Sequence, residues 1–185
     1  MTALLADLDD ALAAARAGDA RGFDALYRML GGPVVGYLRA RSASDPDDLA
    51  NEVFVRAFRT LHTFRGDAGR FRAWLFTIAH HAAIDDRRRA ARRVREVHIE
   101  AVPDPFGGDA EEDVLDGLAR ERVRRLLDQL SPDQRDVLVL RIVADLSVEQ
   151  TAAVVGKSYE AVKALQRRGL ASLKRGLLAD EGVPQ

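Results

Sequence analysis

Residues 147–168 read SVEQTAAVVGKSYEAVKALQRR. Ser147 followed three positions later by Gln150 is a capping-box pattern, in which each side chain bonds the other residue's backbone N–H at a helix start. The apolar residues that follow end at Val155, and Gly156 suits the left-handed position just past a helix. Ser158 can cap a second helix. Ala152 is small where two helices must cross closely, and Val155, Val162 and Leu165 are spaced to pack the second helix on the first. Two helices joined by a glycine turn form a helix-turn-helix. This spacing leaves Ser158, Tyr159, Glu160, Lys163, Ala164, Arg167 and Arg168 as the outward face, and residues 156–175 hold six bases against one acid. Such a face, with the positive end of the helix dipole, suits entry into a DNA major groove and contact with phosphates. Glu160 can accept from cytosine N4. The plain alternative is a helical hairpin with a solvated basic face.

Upstream, Ser131-Pro132-Asp133-Gln134 repeats the start signal, with proline at the first helical position. The helix it opens carries Val137, Leu138, Leu140 and Ile142, and an amphipathic helix spans Leu118 to Leu130. Four helices therefore fill the last third of the chain. Before them, residues 96–117 read EVHIEAVPDPFGGDAEEDVLDG, with two prolines, three glycines and dense acids. That is the composition of a linker extended by proline and by self-repulsion.

Charge follows the same division. The net charge of −1 hides a balance of +4 over residues 1–95, −8 over 96–121 and +3 over 122–185. Two basic blocks around an acidic bridge point to an electrostatic partner such as nucleic acid. Nine of the eleven aromatic residues precede residue 77, so the first half has a large-side-chain core.

In that half, Phe23, Leu26, Tyr27, Leu30, Val34 and Leu38 recur at helical spacing, with Gly31-Gly32-Pro33 expected to kink or break the helix. Asp45 or Asp47 can cap a helix carrying Leu49, Val53, Phe54, Ala57 and Phe58. A glycine-bearing connector, His62 to Arg70, leads to a long helix from about Phe71 that runs into Arg87-Arg88-Arg89. No run alternates as a strand would, so the chain reads as all-α. Between Phe64 and Arg95 nine arginines and three acids interleave with Phe64, Phe71, Trp74 and Phe76. Bases beside aromatics suit single-stranded nucleic acid, whose unstacked bases rest on rings. Trp74 reads as core, and Phe64, in the connector, as the surface aromatic. Residues 1–19 read as a tail or a short helix.

Other chemistries find little support. The chain has 185 residues and no cysteine, which removes disulfides, thiolate metal sites and a cysteine nucleophile. The start, MTALLADLDDALAAARAGD, carries acids before any base, so no signal peptide is expected. No segment approaches the roughly 20 apolar residues of a membrane helix, and a cytoplasmic protein is expected. His81 and Asp85 stand one turn apart, but a metal site needs further ligands. No phosphate loop or serine elbow appears. No catalytic residue, metal or cofactor is therefore expected.

These residues resemble the extracytoplasmic-function (ECF) sigma factors of bacterial RNA polymerase. The likeness covers FDALYRMLGGPVVGYLRA, then DPDDLANEVFVRAFRTLHTFRGDAGRFRAWLFTIAHHAAIDDRRR, and LLDQLSPDQRDVLVLRIVADLSVEQTAAVVGKSYEAVKALQRRGLASLKR. It implies two helical domains, a sigma region 2-like bundle at 20–95 and a region 4-like helix-turn-helix at 119–180, joined by an acidic flexible linker at 96–118. It also implies a transcription initiation factor that joins core RNA polymerase and recognises promoter DNA, both duplex and melted non-template strand. The helix from Asp48 to Arg59 would bind the polymerase clamp through Asp48, Asn51, Glu52, Phe54 and Arg56. Here Asn51 stands where the family pattern has glutamine. Phe64, Arg65, Arg70, Arg72, His80, His81 and Arg88 would meet the minus-ten element. His80-His81 replaces the family's frequent Arg-Asn, which bears on base identity. Lys163 and Arg168 match family contacts to the minus-thirty-five element. Ser158, Tyr159, Glu160 and Arg167 join them from their outward positions. An anti-sigma partner is a family habit. The competing reading is a stand-alone helix-turn-helix regulator with an N-terminal sensing domain.

Overall fold

The computed structural model describes residues 2–96 and 114–180, with side chains described for 7–93 and 121–179. The order is α1 (Thr2–Arg16), α2 (Ala20–Ala40), α3 (Pro46–Thr60), a 3-10 turn (Leu61–Thr63), α4 (Ala68–Glu96), α5 (Val114–Asp128), α6 (Pro132–Ile142), α7 (Val148–Val155) and α8 (Tyr159–Asp180). Among the described residues all regular structure is helical, as the periodicity predicts.

Local chemistry explains most helix starts. Asp19 caps α2 by accepting from the Arg21 amide, and Asp45, not Asp47, caps α3 by accepting from the Asp48 amide. The α4 helix starts at Ala68, three residues earlier than expected, because Asp67 accepts from the Arg70 amide at 2.8 Å. Both capping boxes form: Ser131 with Gln134 opens α6, and Ser147 with Gln150 opens α7. Gly156 takes φ 65°, ψ 37° between α7 and α8, the left-handed conformation that glycine adopts without a Cβ penalty.

Two expectations change. The α2 helix runs unbroken through Gly31-Gly32-Pro33. A mid-helix proline removes one hydrogen bond and crowds the preceding turn. Here Leu26, Leu30, Val34, Tyr37 and Leu38, on both sides of Pro33, lie fully buried on one stripe, and a break would expose part of it. Residues 114–118, assigned to the linker, form the first turn of α5. The remaining linker expectation, extension over 97–113, lies outside the described residues.

The first four helices enclose an aromatic core. Tyr37 meets Phe76 edge-on at 5.7 Å, Phe54 lies between Tyr27 and Phe58, and Phe64, Phe71 and Trp74 form a third group. That core does not stop at α4. Val139 and Leu140 of α6, Ala144 and Leu146 of the following turn, and Val154 of α7 are buried within it. A smaller cluster of Val137, Val162 and Leu165 holds α8 to α6. Polar contacts fix the junction. Arg41, at the end of α2, pairs with buried Asp136 of α6. Arg72 of α4 pairs with Asp145 at 3.3 Å, and Gln150 Nε2 donates to the Gly69 carbonyl at 3.1 Å. The two helical groups are therefore docked face to face.

Candidate nucleic-acid interface

The α8 helix is built to present one face. Val162 and Leu165 turn inward, while the Ser158 hydroxyl accepts from the Ala161 amide and caps the helix. Gly169 lets α8 close on α6, since a Cβ there would stand 2.8 Å from Leu138 Cδ1. Lys157 ties the turn to α6 through Asp133 at 2.9 Å. With the inner face committed, Ser158, Tyr159, Glu160, Lys163, Arg167 and Arg168 are all exposed. Lys163 Nζ stands 5.4 Å from the Tyr159 ring centre. A cation on a ring is held in place without losing its charge for a phosphate.

The 61–70 connector forms a second surface. Arg65 folds back, donating from Nη1 to the His62 and Phe64 carbonyls, and Arg70 is exposed. Phe64 is not a free surface ring. It is half-buried, stacked on Trp74 at 5.1 Å and edge-on to Phe71. Trp74 packs against the core, as expected. His81 and Arg88 are exposed along α4, with Arg88 3.8 Å from Asp85.

Arg72 and His80 are placed elsewhere. Arg72 is 8% exposed and faces Asp145, and His80 is 7% exposed. The Tyr37 hydroxyl lies 2.7 Å from His80 Nδ1. Burial pushes the Tyr37 hydroxyl well above the usual phenol range, so it stays protonated in its hydrogen bond with His80. Burial, then the charge of Arg41, then His81 lowers His80 from 6.5 to about 4. Of these two residues of the predicted set, Arg72 thus belongs to the junction with the α6–α7 turn and His80 to the buried contact between α4 and α2.

On α3, Asp48 and Asn51 are exposed and Glu52 pairs with Arg56 at 3.3 Å, whereas Phe54 is 2% exposed inside the core. Tyr27, which the periodicity put on the buried stripe, is 42% exposed, and its hydroxyl donates to Asn51 Oδ1 at 2.9 Å. No sequence signal marks that pairing, because the two residues meet only when α2 and α3 pack.

This geometry agrees with what the chain is similar to. The Sigma-70 region 2 family matches residues 26–93, and the Sigma-70, region 4 family matches residues 126–175. The ECF RNA polymerase sigma factor SigD of Mycobacterium tuberculosis is 36% identical over 180 residues, spanning 93% of this chain and 84% of that protein. The chain belongs to the ECF sigma factors. A second relative of this sigma factor, SigX of Bacillus subtilis, is 31% identical over 81% of this chain and 76% of its own. Among solved structures, CnrH in complex with the cytosolic domain of CnrY superposes with a TM-score of 0.67 at 31% identity, over 94% of this chain and 99% of that one. RpoE in complex with the anti-sigma factor NepR from Bartonella quintana gives 0.57 at 26% identity, over 80% and 93%. As a sigma factor the protein binds core RNA polymerase, recognises promoter DNA and starts transcription without catalysing a reaction itself. Among the described residues no helix is long and apolar enough to cross a membrane.

Proposed function

We propose that the sigma factor divides promoter recognition between its two docked parts. The α8 helix reads the duplex minus-thirty-five element through Ser158, Tyr159, Glu160, Lys163, Arg167 and Arg168. The 61–70 loop and α4 hold the melted minus-ten strand through Phe64, Arg65, Arg70, Arg72, His80, His81 and Arg88. The α3 helix meets the polymerase clamp through Asp48, Asn51, Glu52 and Arg56, with Phe54 supporting that face from the core. The working units are 20–95 and 119–180, joined by a tether put at 96–118 by the sequence and shortened by the start of α5 at Val114. The observation that carries this reading is the outer face of α8, where six of the seven side chains expected outward are exposed, Ala164 partly so, while Val162 and Leu165 anchor the other side.

Arg72 faces Asp145 of the turn after α6, so a part for it in holding DNA requires α6–α8 to move off α2–α4 when polymerase is bound. A part for His80, buried against Tyr37 of α2, requires it to leave that hydroxyl. The protein acts in the cytoplasm, where promoters and polymerase are. An anti-sigma protein belongs to the same proposal. One fold neighbour, RpoE, was solved with an anti-sigma factor, and Val123, Leu170, Leu177 and Leu178 are left exposed on α5 and α8.

Two substitutions test the division. In the holoenzyme, Lys163→Ala is expected to weaken minus-thirty-five duplex binding at every sequence and to reduce the salt slope by about one, the signature of a lost phosphate contact. An unchanged slope in a salt titration removes Lys163 from the interface. Phe64→Ala is expected to leave duplex binding intact and to reduce permanganate reactivity of melted thymines, because aromatic stacking contributes about 1–3 kcal/mol per base. Promoter binding as tight without core polymerase as with it would favour a stand-alone regulator.

A further inference from the structure

The N-terminal helix α1 lies outside the region 2 match, which begins at residue 26. It is nonetheless built firmly into the fold. Leu8, Ala11, Leu12 and Ala15 are buried. At its end the Gly18 amide bonds the Ala15 carbonyl and the Asp19 amide bonds the Ala14 carbonyl, with Gly18 at φ 81°. This is the left-handed helix stop that turns the chain sharply into α2. The two helices touch backbone to backbone, since a Cβ at Gly22 would stand 2.2 Å from the Ala15 nitrogen.

So placed, α1 holds both ends of the second half of the 61–70 loop. Arg16 Nη2 donates to the Gly66 carbonyl at 2.9 Å and to the Phe64 carbonyl at 3.3 Å. Its Cζ lies 5.3 Å from the centre of the Phe64 ring. Asp9 Oδ1 accepts from the Ala68 amide at 2.7 Å, serving one of the unpaired N–H groups at the start of α4. Gly66 takes φ 152°, which glycine adopts freely, and a Cβ there would stand 2.9 Å from Arg70 and 3.0 Å from the Phe64 ring, so the loop closes tightly at this point. The clamping groups come from 50 residues or more upstream for Gly66 and Ala68.

We propose that Arg16, assisted by Asp9, is a positioning residue for promoter melting. By fixing the carbonyls at 64 and 66 and the amide at 68, α1 sets where Phe64, Arg65 and Arg70 stand when they meet the separated strand. This rests on the reading of the 61–70 loop as the strand-holding surface. Trp74, the single tryptophan of the chain, stacks on Phe64 and so reports loop shape without a label.

The test uses the full chain, alone and as holoenzyme. The probe is the single-stranded non-template segment of a promoter recovered by in vitro transcription from a randomised library. Arg16→Ala is expected to raise acrylamide quenching of Trp74 and to weaken binding of that oligonucleotide roughly tenfold, as loss of charge-assisted hydrogen bonds does. Assembly with core polymerase and binding of minus-thirty-five duplex stay at wild-type levels. Arg16→Lys, which keeps a cation and donors, recovers part of both losses, and Asp9→Ala gives a smaller change in the same direction. Unchanged Trp74 quenching in both Arg16→Ala and Asp9→Ala overturns the proposal. So does an equal loss on duplex and single strand, or a loss of oligonucleotide binding in Phe64→Ala with none in Arg16→Ala. If Phe64→Ala and Arg16→Ala both bind the oligonucleotide normally while Trp74 responds to Arg16→Ala, the clamp exists but the strand-holding reading of the loop fails, and the melting role fails with it.

Discussion

Asp136→Ala is expected to undock α6–α8 from α2–α4. The pair it breaks joins Arg41 to Asp136 with side chains only 10% and 9% exposed. Removing one partner of a buried ion pair leaves a charge without water or counter-ion, at a cost of about 3–5 kcal/mol. The Arg41 guanidinium would then face Tyr37, itself buried and unable to ionise, and the neutral His80. Neither neutralises it. The molecule has an escape that a single-core protein lacks. If α6 leaves α2, Arg41 regains water, and the penalty is limited to the free energy of docking. The expected result is therefore a larger radius of gyration in solution scattering, with far-UV helicity retained. Replacing both partners by leucine removes the uncompensated charge and should restore the docked dimensions, since apolar residues of similar volume often substitute for a buried pair without loss. A scattering profile for Asp136→Ala that superposes on wild type would show that the apolar contacts of Val139, Leu140, Leu146 and Val154, with the Arg72–Asp145 and Gln150–Gly69 contacts, hold the junction without the Arg41–Asp136 pair. The variant also bears on function. If Arg72 serves the melted strand, a chain already undocked should assemble an open complex faster than wild type does.

The contrast between what could and could not be read from residues alone follows the range of the interactions. Helix starts at Ser131 and Ser147 were legible because a capping box is closed within four residues. The Gly156 turn was legible because its backbone conformation excludes most other residues. No break forms at Pro33 because the local cost of a mid-helix proline is smaller than the burial a break would sacrifice on both sides. The resemblance puts Arg72 and His80 at the minus-ten element, where a DNA contact needs them exposed, as charge and polarity ordinarily leave them. What buries them is Asp145 from 73 residues away and Tyr37 from 43 residues away, and no local pattern encodes such partners. The same holds for Arg16 and Asp9. In the sequence they are unremarkable members of an amphipathic segment, and only the packing of Gly22 against Ala15 brings them over the loop. The outer face of α8 was readable for the opposite reason: its exposure follows from helix period and turn alone.

A loss of stability in mild acid is the second large effect expected. His80 is buried and neutral, lowered from 6.5 to about 4 by burial first, then by Arg41 and His81. Its folded value lies below its unfolded value, so as pH falls the unfolded chain takes up the proton first. The contribution to stability is complete above about pH 6.5, declines below it and is gone near pH 4, a span that amounts to about 3 kcal/mol. Asp136 is common to wild type and a His80→Gln variant. Burial raises its carboxyl, with Arg41 pulling it partly back, and its contribution cancels when the two proteins are compared. The acid limb of the whole protein is the resultant of His80 and Asp136, together with its exposed acids. The single substitution His80→Gln separates them. Glutamine keeps an oxygen that can accept from the Tyr37 hydroxyl and never takes a proton, so the His80 contribution vanishes while Asp136 is retained. Urea unfolding at steps between pH 7 and pH 4 should show the wild type losing more stability than His80→Gln, by about 3 kcal/mol at the acid end. Parallel curves would mean that burial against Tyr37 does not hold His80 neutral, and the prediction fails.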